Sequence, residues 1–123
     1  MLVVDDQRIV RRSAGAVLKR LGYEADLAED GRKGIEIYEK AMKEDRPFAL
    51  VIMDLTIPGD MGGEEALKRI RELDPDAKVV VSSGYSDDPV MSRFREAGFD
   101  GMLVKPYNVA DLATELQRVL SGR

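Results

Sequence analysis

Three carboxylates and one ammonium close three separate apolar runs. Asp5 and Asp6 follow Leu2-Val3-Val4, Asp54 follows Leu50-Val51-Ile52-Met53, and Lys105 follows Met102-Leu103-Val104. Short apolar runs bounded by turn residues read as strands buried on both faces, the kind found in parallel sheets covered by helices. Ligands bind such sheets beyond the carboxyl ends of the strands. As parallel neighbours, these runs bring the carboxylates to one edge, where they repel unless a cation joins them. The pattern predicts a divalent metal site at Asp5, Asp6 and Asp54, with Lys105 beside it. An open set of two or three hard oxygen ligands suits Mg²⁺ best, with Mn²⁺ and Ca²⁺ as alternatives. Asp54 is then a candidate nucleophile toward a phosphoryl group. Lys105 offers a point charge to one phosphoryl oxygen, and a hydroxyl at the end of the fourth strand, from Ser82 or Ser83, can bind another.

The rest of the composition narrows the chemistry. The 123 residues contain no cysteine and no histidine. Thiol chemistry, His metal ligands and a phosphohistidine carrier within the chain are therefore excluded. Nineteen basic against twenty-three acidic side chains give a net charge of −4, which disfavours direct nucleic-acid binding through bulk electrostatics. No apolar stretch approaches the ~18 residues of a membrane span, and no signal peptide is visible, so a cytoplasmic location is expected. The length fits one domain over residues 1–123 with no separate effector. The first strand starts at Met1 with almost no lead-in, which suggests a piece trimmed from a longer protein.

The elements that must hold these groups alternate. From Gln7 to Leu21, Ile9, Val10, Ala14, Val17, Leu18 and Leu21 recur at helical spacing, and Gly22 stops the helix. Its polar side, with Arg8, Arg11, Arg12, Lys19 and Arg20, reads as a solvated face, with docking of an acidic partner as the alternative. Tyr23 to Ala28 predicts a short strand, and a helix after Gly31 carries Ile35, Ile37, Tyr38, Ala41 and Met42. The third strand covers Ala49 to Met53, and its helix buries Ala66, Leu67, Ile70 and Leu73. Lys78 to Ser82 is the fourth strand. Asp88 and Pro89 start a helix that faces inward through Val90, Met91, Phe94 and Ala97 and ends at Gly98. Gly101 to Val104 is the fifth strand, and Asn108 caps a last helix buried through Val109, Leu112, Leu116 and Val119. Five βα units with short connections predict an α/β fold, a flavodoxin-like doubly wound parallel sheet of strand order 2-1-3-4-5.

Four stretches together carry a resemblance: Leu-Val-Val-Asp-Asp at 2–6, Val-Ile-Met-Asp-Leu-Thr-Ile-Pro-Gly at 51–59, Val-Val-Val-Ser-Ser-Gly-Tyr at 79–85 and Val-Lys-Pro-Tyr at 104–107. The chain resembles the response-regulator receiver domains of two-component and phosphorelay signalling over essentially its whole length. The resemblance implies that Asp54 accepts a phosphoryl group from a phosphohistidine on a histidine kinase or histidine phosphotransfer domain. It implies that Asp6 ligates Mg²⁺, that Asp5 helps directly or through water, and that the backbone carbonyl of Thr56 is the third protein ligand. Ser83, which immediately precedes Gly84 and Tyr85, takes the place of the switch hydroxyl. Lys105 contacts the phosphoryl group, and Lys105-Pro106 resembles the family's cis X-Pro bond. Tyr85 is a candidate shield for the phosphorus.

Two departures qualify the resemblance. Met102 stands where the family commonly has a Tyr or Phe that swings inward, so a smaller conformational change is expected on the surface of the fourth helix, fifth strand and fifth helix, the implied face for a downstream protein or a second copy. Gln7 replaces an acid that often follows the Asp pair. The segments around Ser82–Ser86 and Ile57–Gly59 resemble receivers at the ends of hybrid sensor histidine kinases. An aspartate-nucleophile phosphohydrolase is the alternative, but it calls for a second aspartate at position 56, which is Thr56. A phosphorylation-independent interaction module is the third reading.

Overall fold

The structure is a computed structural model that describes residues 1–55, 61–84 and 89–121. The elements run β1 (Leu2–Val4), α1 (Arg8–Arg20), β2 (Asp26–Ala28), α2 (Gly31–Lys43), β3 (Val51–Asp54), α3 (Gly63–Leu73), β4 (Val79–Ser83), α4 (Pro89–Ser92), α5 (Phe94–Ala97), β5 (Gly101–Val104) and α6 (Val109–Leu120). The strands form one sheet in the order β2-β1-β3-β4-β5, and every pairing is parallel. This is the flavodoxin-like arrangement the alternation predicts.

Strand alternation divides the core between the two faces of the sheet. Leu2, Val4, Val51, Met53, Val79 and Val81 pack with Tyr38 of α2, Ala66, Leu67 and Ile70 of α3, and Met91 of α4. Val3, Ile52, Val80 and Leu103 pack with Ala14 and Leu18 of α1 and with Leu112, Leu116 and Val119 of α6. Each Val, Leu, Ile or Met side chain among them, fully buried, contributes about 1.5–3 kcal/mol relative to exposure. Between the layers some backbones approach closely. A Cβ on Gly34 of α2 would stand 2.8 Å from Val4 Cγ2, so α2 sits on β1 only because that position is glycine.

The helix ends follow their sequence signals. Gly22 and Gly98 have φ of 92° and 104°, the left-handed region that glycine enters without penalty. Asn108 and Asp111 form a reciprocal capping box at the start of α6. Several expectations need correction. The helix expected from Asp88 to Ala97 is two separate turns, α4 and α5, interrupted at Arg93, whose ψ of 35° leaves the helical region; Asp88 itself lies outside the described residues. Ile9 and Val109, expected in the core, are 82% and 41% exposed. Both lie in the first turn of helices that start just past the carboxyl ends of β1 and β5. Leu73, in the last turn of α3, is likewise partly exposed.

The outer edge of β5 is covered by side chains of α6. Glu115 Oε2 accepts the Met102 N–H at 2.7 Å, and Arg118 donates to both Glu115 oxygens, at 2.8 and 3.0 Å, and to the Asp100 carbonyl at 3.0 Å. A Cβ on Gly101 would fall 2.6 Å from Glu115 Oε2 and 2.9 Å from Val119 Cγ2. Burial alone would raise the Glu115 carboxyl, but hydrogen bonds from Arg118 and Met102 and the charges of Arg118 and Arg95 outweigh it, so the group sits below its ordinary 4.5.

Two outcomes are expected. Gly34→Ala should destabilise the fold by about 1–3 kcal/mol in urea unfolding, through overpacking against Val4. Glu115→Gln should cost about 1–2 kcal/mol at neutral pH. A carboxyl with a depressed folded pKa stabilises fully above its unfolded value and loses that contribution as pH falls through the folded one. The gap between parent and Glu115→Gln should therefore narrow as the pH is lowered below about 4.5; a gap that widens in acid would contradict the assignment.

Candidate metal and phosphoryl site

The topology brings the three apolar runs to adjacent places. β1 and β3 pair with Val4 opposite Met53, so the residues that follow, Asp5 and Asp54, emerge side by side. β3 and β4 pair with Asp54 opposite Ser82, and β4 and β5 pair with Ser83 opposite Val104, which delivers Lys105 from the next strand but one. The Lys105 N–H donates to the Ser83 carbonyl at 2.8 Å, and the Lys105-Pro106 bond is cis.

One carboxylate oxygen each from Asp5, Asp6 and Asp54 lies within 4.8 Å of the others. Asp5 and Asp54 are buried, and Asp6 is exposed at the mouth. Lys105 Nζ stands 2.7 Å from Asp5 Oδ2 and 3.3 Å from Asp54 Oδ2. Burial acts against the Lys105 charge, but the hydrogen bond to Asp5 and the negative charge of Asp54 and Asp5 prevail, and its pKa lies above the ordinary lysine value. The ammonium is thus held charged in a half-buried position. Three hard oxygen donors converging from two strand ends fit a small divalent cation, and one ammonium does not neutralise them.

Asp5 is held on every side. Its Oδ1 accepts the Gln7 N–H at 2.9 Å, its carbonyl accepts from Arg11 Nη1 at 2.8 Å, and its own N–H donates to the Ala28 carbonyl at 3.1 Å. Both of its carboxylate oxygens are engaged, Oδ1 by Gln7 and Oδ2 by Lys105. The backbone beyond Asp54 is equally fixed. Leu55 N–H donates to the Ser82 carbonyl, and Gly63 begins α3 so close that a Cβ there would meet the Asp54 carbonyl at 2.8 Å.

Of the residues predicted from sequence, Asp5, Asp6, Asp54 and Lys105 come together. Ser82 and Ser83 both lie buried at the end of β4, and Gly84 is exposed after them. Pro106 is exposed, and Met102 is half-buried against the α2–α5 side of the core. Thr56 and Tyr85 lie outside the described residues. Sequence reasoning missed Arg11 and Tyr107. Arg11 follows Gln7 by one helical turn, and its N–H donates to the Gln7 carbonyl, a spacing that returns its side chain to the Asp pair. Burial, with the negative charge of Asp5 and Asp54, pushes the Tyr107 hydroxyl up to about 12, so it stays protonated beside the site.

Comparison with known proteins bears on this geometry. The profile of the response regulator receiver domain family matches residues 1–117. The chain is similar to the chemotaxis protein CheY of Thermotoga maritima, 33% identical over 120 residues that cover 97% of this chain and 95% of that one. It is also similar to the sensor kinase CckA of Brucella abortus, 30% identical over 98% of this chain but only 12% of that longer protein. Among solved structures, a chain of the CheX-CheY-BeF3-Mg²⁺ complex from Borrelia burgdorferi superposes with a TM-score of 0.82 at 27% identity, covering 98% of this chain and 85% of that one. With its parallel sheet and its acidic edge beside a lysine, the chain belongs to the response regulator receiver family.

Proposed function

We propose that this receiver takes a phosphoryl group onto Asp54 from a phosphohistidine on a histidine kinase or a histidine phosphotransfer domain, and signals through the resulting change in conformation. The observation that carries the reading is the double bonding of Lys105 Nζ to Asp5 and Asp54 within a cluster of three carboxylates. In the transfer, an Asp54 carboxylate oxygen forms the new P–O bond as the N–P bond of the donor breaks and the electron pair leaves with the imidazole. Lys105, already charged, moves from the carboxylates to a phosphoryl oxygen, and the Ser83 hydroxyl donates to another. Asp6 and Asp54, with Asp5 and, as the resemblance implies, the Thr56 carbonyl, would hold Mg²⁺, or Mn²⁺ in its place. When bound, the cation would supply positive charge that offsets the negative charge gathered during transfer.

The same residues return the domain to its resting state when water attacks the phosphorus in line, the P–O bond to Asp54 breaks and inorganic phosphate leaves, with Tyr85 tuning access. The domain thus assists its own phosphorylation and dephosphorylation without being a turnover enzyme. The exposed Ile9 on α1, with Arg8 and Arg12 beside it, offers the donor an apolar and basic surface next to Asp6. The face of α4, α5, β5 and α6 serves a downstream protein or a second copy. Residues 1–123 act as one domain, in the cytoplasm; among the described residues no helix is long and apolar enough to cross a membrane.

Mg²⁺ should raise the free energy of unfolding, and with it the midpoint, logarithmically once it exceeds its dissociation constant, by about 2.7 kcal/mol at a hundred times that constant. Asp6→Asn, at an exposed position that leaves the core intact, should move the same curve to higher Mg²⁺; a midpoint indifferent to Mg²⁺ would count against the site. Incubated with Mg²⁺ and a small acyl phosphate, the parent should gain one phosphoryl group by intact-mass analysis and Asp54→Asn should gain none. Equal incorporation by both proteins would remove Asp54 from its role.

A further inference from the structure

The β5 edge holds a group of side chains that the phosphoryl chemistry does not use. Glu115 takes the outward N–H of Met102, Arg118 grips both Glu115 oxygens and the Asp100 carbonyl, and a Cβ on Gly101 would crowd them, at 2.6 Å from Glu115 Oε2 and 3.0 Å from Arg118 Nη2. A strand edge is ordinarily a row of free donors and acceptors. Here the stretch from Asp100 to Met102 is closed by two side chains one turn apart on α6. These bonds are charge-assisted, and the carboxylate–guanidinium pair has two N–H donors on two oxygens, which gives direction as well as strength.

The placement of this group matters more than its contribution to stability. Lys105 directly follows β5, three residues beyond Met102, and its N–H is fixed to the Ser83 carbonyl. A displacement of the Lys105 backbone toward a phosphoryl group is therefore shared between the end of β5 and the end of β4. The inner edge of β5 is bonded to β4, and its contact with α6 through Leu103 is apolar packing, which can slide. Glu115 and Arg118 instead attach the strand's backbone to α6 by oriented bonds, at the residue where the family commonly has an aromatic and this chain has Met102.

We propose that the Glu115–Arg118 pair is a latch through which displacement of β5 reaches α6, doing by backbone attachment what a swinging aromatic at position 102 would do by rotation. The inference rests on the phosphoacceptor reading of Asp54. Displacement at the Lys105 end tilts the strand, Met102 carries Glu115 with it, and α6 shifts over its contacts at Leu112, Leu116 and Val119. Without the latch, the site still loads and its loops still respond, but α6 does not follow.

The test uses the full chain, Mg²⁺ and beryllofluoride as the phosphoryl mimic, with backbone amide shifts and hydrogen exchange read by NMR. In the unloaded parent the Met102 amide should exchange slowly, and in Glu115→Ala it should exchange as fast as an open strand edge; equal exchange in the two proteins overturns the latch. On loading, the parent should shift at Ser83, Lys105 and the α6 amides from Leu112 to Val119. Glu115→Ala should keep the shifts at Ser83 and Lys105 and lose those in α6, with Glu115→Gln, which keeps an acceptor oxygen for Met102 but not the charge pair, falling between. Shifts in α6 as large in Glu115→Ala as in the parent overturn the proposal. Absence of any shift at Ser83 and Lys105 in the parent overturns the acceptor reading itself, and Asp54→Asn, which should be silent throughout, separates that failure from the first.

Discussion

Everything at the carboxyl edge of the sheet depends on one electrostatic constraint: two buried carboxylates, Asp5 and Asp54, share a single ammonium. Three carboxylates less one lysine leave the four groups at a formal −2, which a divalent cation cancels and a monovalent one does not. Buried like charges at this spacing oppose folding unless they are neutralised or hydrogen-bonded. The fold answers by committing the polar atoms of Asp5 to Gln7, Arg11, Ala28 and Lys105, and by leaving Asp6 at the mouth in water.

The architecture serves that constraint in detail. Parallel pairing with order β2-β1-β3-β4-β5 places β1 and β3 together, so two acidic strand ends become neighbours although they are far apart in sequence. Gly34 lets α2 close on β1, and Gly63 lets α3 begin directly against the Asp54 carbonyl. The acidic edge therefore rests on backbones that have little room to yield. Beside it, the ends of β4 and β5 are joined by one backbone hydrogen bond, from the Lys105 N–H to the Ser83 carbonyl.

Much of this was legible from residue order because buried parallel strands are continuous apolar runs whose ends announce themselves. β5 was read to the residue, and the caps at Gly22, Gly98 and Asn108 followed from types whose conformational preferences are local. Failures came where the outcome depends on what lies opposite. Ile9 and Val109 fit the apolar period of their helices, but period does not say where the sheet beneath stops. β2 shrank to Asp26–Ala28 because alternation in a short edge strand carries little information. Arg11, Tyr107 and the Glu115–Arg118 pair escaped notice for a related reason: their partners are backbone groups or charges brought near by the fold, and backbone groups leave no trace in residue type.

Gly101 shows how such a hidden partnership would surface in variation. Its own backbone is ordinary, outside the left-handed region that marks Gly22 and Gly98. Its requirement for glycine is imposed from outside, by side chains of a helix that begins eight residues later. A substitution there would be harmless by any rule based on local conformation, yet its first effect would be felt at α6. Tolerance at position 101 is thus a property of the pair of elements, and it should change together with the residues at 115 and 118 rather than alone.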